Sequence, residues 1–290
     1  MERSMKTKTW DAGWLDSMYN NRERVPDHGT YLRRWAAQSA DAMRTPPREL
    51  DIRYGGGPSE HLDVFGAEGD SAPVLVFIHG GYWRALDKRD HAFIAPAFTK
   101  EGVCVVIPNY ALCPAVTVPQ IVMQQVLAVA WTYRHIAKHG GDPNRITVIG
   151  HSAGGHLAAM MMSCLWPVFG SNLPADVVKG AMSISGLHDL EPLMHAPFLQ
   201  PSINLTREQV RKASPALLAA PAHGKLYAVC GGDESEEYHR QNGLLQAAWG
   251  AQRVPVTETI PGCNHFSVLD ALVEPGSRLN TLALELVKQS

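Results

Sequence analysis

Ser152 sits between two glycines in the stretch Gly150-His151-Ser152-Ala153-Gly154, where the apolar pair Val148 and Ile149 gives way to a small-residue run of helical character. A turn from strand to helix at this point cramps the backbone, so side chains at the flanking positions would collide with neighbouring main chain. Such a turn projects the hydroxyl above a sheet edge, and the free N–H groups of the following helix face the same spot. The plainer alternative is a glycine-rich turn with an incidental serine. A nucleophilic serine also needs a base, an acid that orients the base, and N–H donors for a developing oxyanion.

Three other segments could supply those parts. "FIHGGYW" (77–83) follows a buried strand pattern, and its glycines permit the loop to turn its amides inward. Gly81 and Tyr82 are the expected oxyanion donors there, together with the amide of Ala153. His79 is read as pinning the loop and not as a proton carrier. "VCGGDESEEYHRQ" places Asp233 just past another strand as the expected acid; an N-cap role is the bland reading of the same residue. Glu234, Glu236 and Glu237 read as acids of the next helix's first turn. Asp189 in "SGLHDLEPL" is the rival acid. "IPGCNHFSVLD" places His265 after the last strand pattern. With thirteen histidines in the chain, its place in the order Ser152, Asp233, His265 is what singles it out.

These residues need a sheet to bring them to one edge. Near-continuous apolar runs or strand patterns at 72–81, 103–110, 145–150, 178–186, 225–232 and 254–262 alternate with helical patterns, including 206–219, 234–249 and 276–288. Strand and helix alternating over about 240 residues predict a mostly parallel sheet covered on both faces. Such sheets bind ligands beyond the carboxyl ends of their strands. "ELDIRYG" and "EHLDVFGA" read as a hairpin at one edge. Residues 1–50 read as an N-terminal helical extension, residues 51–290 as the catalytic unit, and 187–220 as a small lid.

The combination of "HGGYW" with "GHSAGG" resembles the α/β-hydrolase fold, and within it the kynurenine formamidase (arylformamidase) group and its esterase relatives. The resemblance spans about residues 50–290. It implies Ser152, Asp233 and His265 as a triad and His79–Trp83 as the oxyanion segment. Tyr82 stands where hormone-sensitive-lipase types carry a third glycine, which narrows the mouth. Tyr82, Trp83, His188, Phe198 and Phe266 are the expected cleft walls, for a small flat or aromatic substrate. The expected activity is that of a carboxylesterase on small esters, or alternatively hydrolysis of N-formylkynurenine-like aryl formamides. A non-catalytic ligand-binding protein on the same fold is the reading from another class.

Bulk properties narrow the partners. The chain has 290 residues, 45% of them hydrophobic, 19% charged, and a formal net charge of −2, with no long run of one sign. Neither nucleic acid nor an anionic membrane surface is expected as a partner. No segment approaches the roughly 18 uninterrupted apolar residues of a membrane span. The first residues lack the apolar core of a signal peptide, and the five cysteines include no CxxC pair, so free thiols and a cytoplasmic location are expected. A homodimer is compatible with this picture. No cofactor and no metal is expected: His151 and His156 are five apart and lack the i,i+4 face of a zinc helix.

Overall fold

A computed structural model describes residues 10–67 and 71–289. Three helices open the chain, α1 (Ala12–Tyr19), α2 (Asn21–Arg24) and α3 (His28–Ala42). The sheet then forms from β1 (Arg48–Arg53), β2 (His61–Phe65), β3 (Ala72–Ile78), β4 (Cys104–Pro108), β5 (Gly141–His151), β6 (Val178–Ile184), β7 (Lys225–Gly231) and β8 (Val256–Ile260). Their spatial order is β1-β2-β4-β3-β5-β6-β7-β8. β1 and β2 pair antiparallel, as do β2 and β4, and every later pair is parallel. This is the architecture that the resemblance implies, with the expected hairpin at its edge.

The parallel strands carry apolar side chains on both pleat faces, so two separate cores form. Val74, Val76 and Ile78 of β3 point into one, with Leu15 and Tyr19 of α1, helix α5 (Val118–His135) and helix α6 (Ala153–Met162). Leu75 and Phe77 point into the other, with Trp35 of α3, Phe98 of helix α4 (Ala95–Thr99) and the C-terminal helix Arg278–Gln289. The N-terminal helices are therefore structural walls of both cores. β1 also begins at Arg48, ahead of the expected boundary at residue 50, because Arg48 pairs with Phe65.

Some helical patterns resolve into shorter pieces. The run around Phe93 folds as two 3₁₀ turns before α4, and the pattern at 206–219 stops as a helix at Ala213, ahead of Pro215. Residues 187–205 carry two single-turn helices, Glu191–Met194 and Gln200–Ile203. All five cysteines are free thiols. Among the described residues, no helix is long and apolar enough to cross a membrane.

The turn after β5 is tightly packed. Ser152 adopts φ 58° and ψ −118°, a strained conformation for a residue with a side chain. A Cβ on Gly150 would lie 2.0 Å from the Gly154 carbonyl oxygen, and one on Gly154 would lie 2.0 Å from the Ile78 carbonyl oxygen. Both contacts are with main chain, which cannot swing aside. Gly154→Ala should therefore lower the unfolding free energy in urea by about 3 kcal/mol. Gly243 lies inside the helix Glu236–Trp249 with open space around it. Gly243→Ala should raise the unfolding free energy by about 0.5–1 kcal/mol in the same assay.

Five histidines, His79, His91, His151, His156 and His188, are enclosed in these cores. Burial lowers the pKa of each, to about 3 for His91 and His156 and to about 4 for His188. The unfolded chain takes up protons near pH 6.5, where the folded chain does not. Stability is thus full above about pH 6.5 and is lost as pH falls below it, by up to about 1.4 kcal/mol per histidine per pH unit. The urea midpoint should drop clearly between pH 7.5 and 5.5, a window above the titration of most carboxylates. A flat midpoint across it would contradict neutral burial of these rings.

Candidate active site

β3, β5, β6, β7 and β8 all deliver residues to the same edge of the sheet, at their carboxyl ends. β5 ends in His151, and Ser152 follows, its N–H donating to the Ile184 carbonyl at 2.8 Å. His265, on the loop after β8, brings Nε2 to 3.1 Å from the Ser152 Oγ. Its Nδ1–H donates to a carboxylate oxygen at 2.7 Å, and that carboxylate belongs to Glu234. This is a correction to the expected acid. Asp233 is exposed, and its own N–H donates to the Cys263 carbonyl at 3.0 Å. Glu234, one residue later, has a fully buried side chain.

The turn geometry explains the exchange. Gly231 and Gly232 pack their Cα atoms against the chain at 260–264, so the backbone turns before residue 233 and sends its side chain outward. The Glu234 carboxylate is then saturated: Oε1 accepts from the Gly231 N–H at 2.7 Å and from the Ser185 hydroxyl at 2.5 Å, and Oε2 takes the imidazole N–H. Nor does Asp233 cap the helix that follows; Ser235 does, its side chain accepting from the Tyr238 N–H. Asp189 is occupied elsewhere, 3.3 Å from an Arg240 nitrogen.

An acceptor at Nδ1 leaves the Nε2 lone pair directed at Ser152. The His265 ring is boxed in by Tyr238, His151 and Phe266, at centroid distances of 4.8, 4.7 and 5.7 Å. His151 Nε2–H donates to the His265 carbonyl at 2.8 Å, tying the two ends of the site together. His156 points away from it, donating to the Ala213 carbonyl.

The loop after β3 is held by a second polar set. His79 contacts the Gly80 carbonyl through Nδ1 and the Asn109 side-chain oxygen through Nε2, and the Tyr110 hydroxyl donates to the His79 carbonyl at 2.9 Å. Asn109 donates to Asp87, and Lys88, wholly buried, donates to Asp51 and Asp63. The N–H groups of Gly81, Tyr82 and Ala153 have no acceptor among the described residues, and no side chain caps the start of α6.

A cavity of about 180 Å³ opens over Ser152 and His265. Tyr82, Phe198 and Phe266 line it. Trp83 and His188 do not. Trp83 is fully buried on the far side of its loop, edge-on to His156 at 5.0 Å. His188 is buried between the Ser183 hydroxyl and the Gln241 carbonyl. Both are core residues; after β3 the chain turns through two left-handed residues, Tyr82 at φ 50° and Trp83 at φ 55°, and the Trp83 side chain is carried away from the cavity.

The remaining walls come from the N-terminal helices: Asn20, Asn21 and Arg22 around α2, and Leu32 and Trp35 of α3. A hydroxyl relay fixes this wall. Tyr82 donates its single hydroxyl proton to the Tyr19 carbonyl at 2.6 Å, so Tyr238, 2.7 Å away, is the donor to Tyr82, and the Asn21 amide donates to Tyr238 at 2.8 Å. Glu234, Ser185 and this N-terminal wall are the parts that the sequence reading missed. Glu234 has a signal in hindsight, since the order of serine, acid and histidine is met by either neighbour. The N-terminal wall has none, as no local pattern says where a leading helix will dock.

With this geometry in view, the comparisons with known proteins agree on kinship. The BD-FAE family model matches residues 62–165. The chain is 30% identical to the kynurenine formamidase of Salmo salar over 278 residues, 92% of this chain and 90% of that one. It is 37% identical to the esterase LipQ of Mycobacterium tuberculosis over 186 residues, 58% of this chain and 41% of that one. Among solved structures, a Silicibacter protein provisionally described as a thioesterase superposes with a TM-score of 0.80 at 29% identity, covering 94% of this chain and 98% of its own. The chain is a hydrolase, and it belongs to the kynurenine formamidase and esterase group of the α/β-hydrolase superfamily.

Proposed function

We propose that this hydrolase cleaves a small acyl group from an aryl amine, as an aryl formamidase, through a covalent intermediate on Ser152. The observation that carries the chemistry is the unbroken relay from the Ser152 hydroxyl through His265 to Glu234. His265 takes the hydroxyl proton as Oγ attacks the carbonyl carbon. The new oxyanion is held by the free N–H groups of Gly81, Tyr82 and Ala153, and the charge on the imidazolium is balanced by Glu234. His265 then returns the proton to the leaving amine as the C–N bond breaks. Water, deprotonated by the same imidazole, releases the acid and restores the serine.

The choice of a formamide rests on the near full-length likeness to a kynurenine formamidase, and it fits a cavity of about 180 Å³ walled by Tyr82, Phe198 and Phe266. Hydrolysis of small esters is the second reading, favoured by the likeness to esterase LipQ. N-formylkynurenine assayed beside p-nitrophenyl esters of increasing chain length separates the two. The first reading expects the formamide to turn over fastest and the esters to fall off beyond the shortest acyl chains.

The roles of individual residues are testable on the same substrates. Ser152→Ala should abolish labelling by an organophosphonate and cut kcat by about 10⁴-fold or more. Glu234→Gln should cost about 10²–10⁴-fold in kcat, because an amide cannot hold the required imidazole tautomer. Asp233→Asn should leave kcat/KM within about twofold. The reverse pattern for the two acids would reassign the relay.

A further inference from the structure

Charge left without a partner shows what a site is built to receive. Several cations elsewhere on this chain are paired with carboxylates, among them Lys88 with Asp51 and Asp63, Arg240 with Glu237 and Asp189, and Arg278 with Glu258. The cavity over Ser152 is lined by two arginines, Arg22 from α2 and Arg84 from the loop after β3. Neither is paired with a carboxylate among the described residues.

Arg84 is held in place without being neutralised. Its Nη1 donates to the Phe198 carbonyl at 2.9 Å and to the Ser202 hydroxyl at 2.8 Å, and its guanidinium carbon lies 5.5 Å from the centre of the Phe198 ring. Those bonds occupy both hydrogens of one nitrogen. The Nε–H and Nη2–H donors, which share one edge of the guanidinium, have no acceptor among the described residues. That edge matches the two oxygens of a carboxylate. Partial burial and then the positive charge of Arg22 hold Arg84 below the usual arginine range, so the two cations share one local field. Two like charges beside aromatic walls, where screening is weak, favour an anion between them.

We propose that Arg84 and Arg22 form a subsite for a carboxylate carried by the substrate away from its scissile bond, so that the enzyme selects anionic aryl formamides or esters over neutral ones. The subsite rests on the reading of Ser152 as the nucleophile over this cavity. Arg84 is anchored and supplies the paired hydrogen bonds. Arg22, more exposed, adds attraction and speeds capture. The Phe198, Phe266 and Tyr82 rings accommodate the aromatic body between the two ends.

The test uses a matched pair, 4-acetoxyphenylacetate and 4-acetoxyphenylacetamide, which differ in charge and not in the bond cleaved. The intact protein should prefer the acid by about tenfold or more in kcat/KM, and added salt should shrink the preference. Arg84→Gln should bring the ratio of acid to amide close to one, mainly through a higher KM for the acid. Arg22→Gln should reduce the ratio about threefold, and its exposed position makes misfolding no concern. Equal rates for the pair in the intact protein, or an Arg84→Gln protein that keeps the preference, would overturn the subsite. Titration calorimetry with 4-hydroxyphenylacetate and its amide on the Ser152→Ala protein reads the subsite without turnover. Binding of the acid over the amide there, lost in Arg84→Gln, supports the subsite even if both esters prove inert and the nucleophile reading fails; equal binding overturns it.

Discussion

The approach of Gly154 to the Ile78 carbonyl is the contact on which the site depends. A single added carbon would close it, so the first turn of α6 is pressed against the end of β3 at a fixed height. The end of β3 carries the loop with Gly81 and Tyr82, and the start of α6 carries Ser152 and Ala153. One main-chain contact thus sets the distance between two halves of the site, and the strained backbone of Ser152 persists because neighbours on both sides leave it no alternative.

Around that contact, hydrogen bonds to defined partners keep the site's histidines in defined roles. Glu234 has three donors on its two oxygens, so it stays oriented and cannot swing toward solvent. His151 spends its donor on the His265 carbonyl, and His79 spends its contacts on Gly80 and Asn109. Rings that are enclosed and neutral act as rigid spacers, whereas His265 keeps one nitrogen turned to the serine. The amides of Gly81, Tyr82 and Ala153 remain open donors beside Ser152, and Arg84 lines the same cavity. A preorganised site concentrates unmet hydrogen bonding where substrate will supply it.

The N-terminal helices complete this arrangement. Without them Tyr82 would have no Tyr19 carbonyl to bind, Tyr238 would lose the Asn21 amide, and the cavity would lack the wall formed by Leu32 and Trp35. Leu15, Tyr19 and Trp35 are buried among sheet residues, so this wall is anchored by the same apolar packing that stabilises the sheet. The segment that carried no motif therefore shapes the mouth of the site, and with Arg22 it also contributes charge.

How much of this was legible in the sequence follows from the range of the forces involved. The strands, the hairpin, the parallel sheet and the strand-to-helix turn at Ser152 are written in local periodicity and in glycines, because alternation and backbone crowding act between near neighbours in the chain. His265 was legible from its place in the order of elements. The choice between Asp233 and Glu234 was not, since one step along a tight turn reverses a side chain's direction, and the packing of Gly231 and Gly232 against a distant loop decides that step. Trp83 and His188 look like cleft residues in sequence and are core residues in space, for the same reason. The docking of residues 10–50 was also invisible, because burial against a remote surface leaves no local signature. Sequence alone determined the sheet and the strand-to-helix turn at Ser152; tertiary packing decided which acid meets the histidine and which side chains face the cavity.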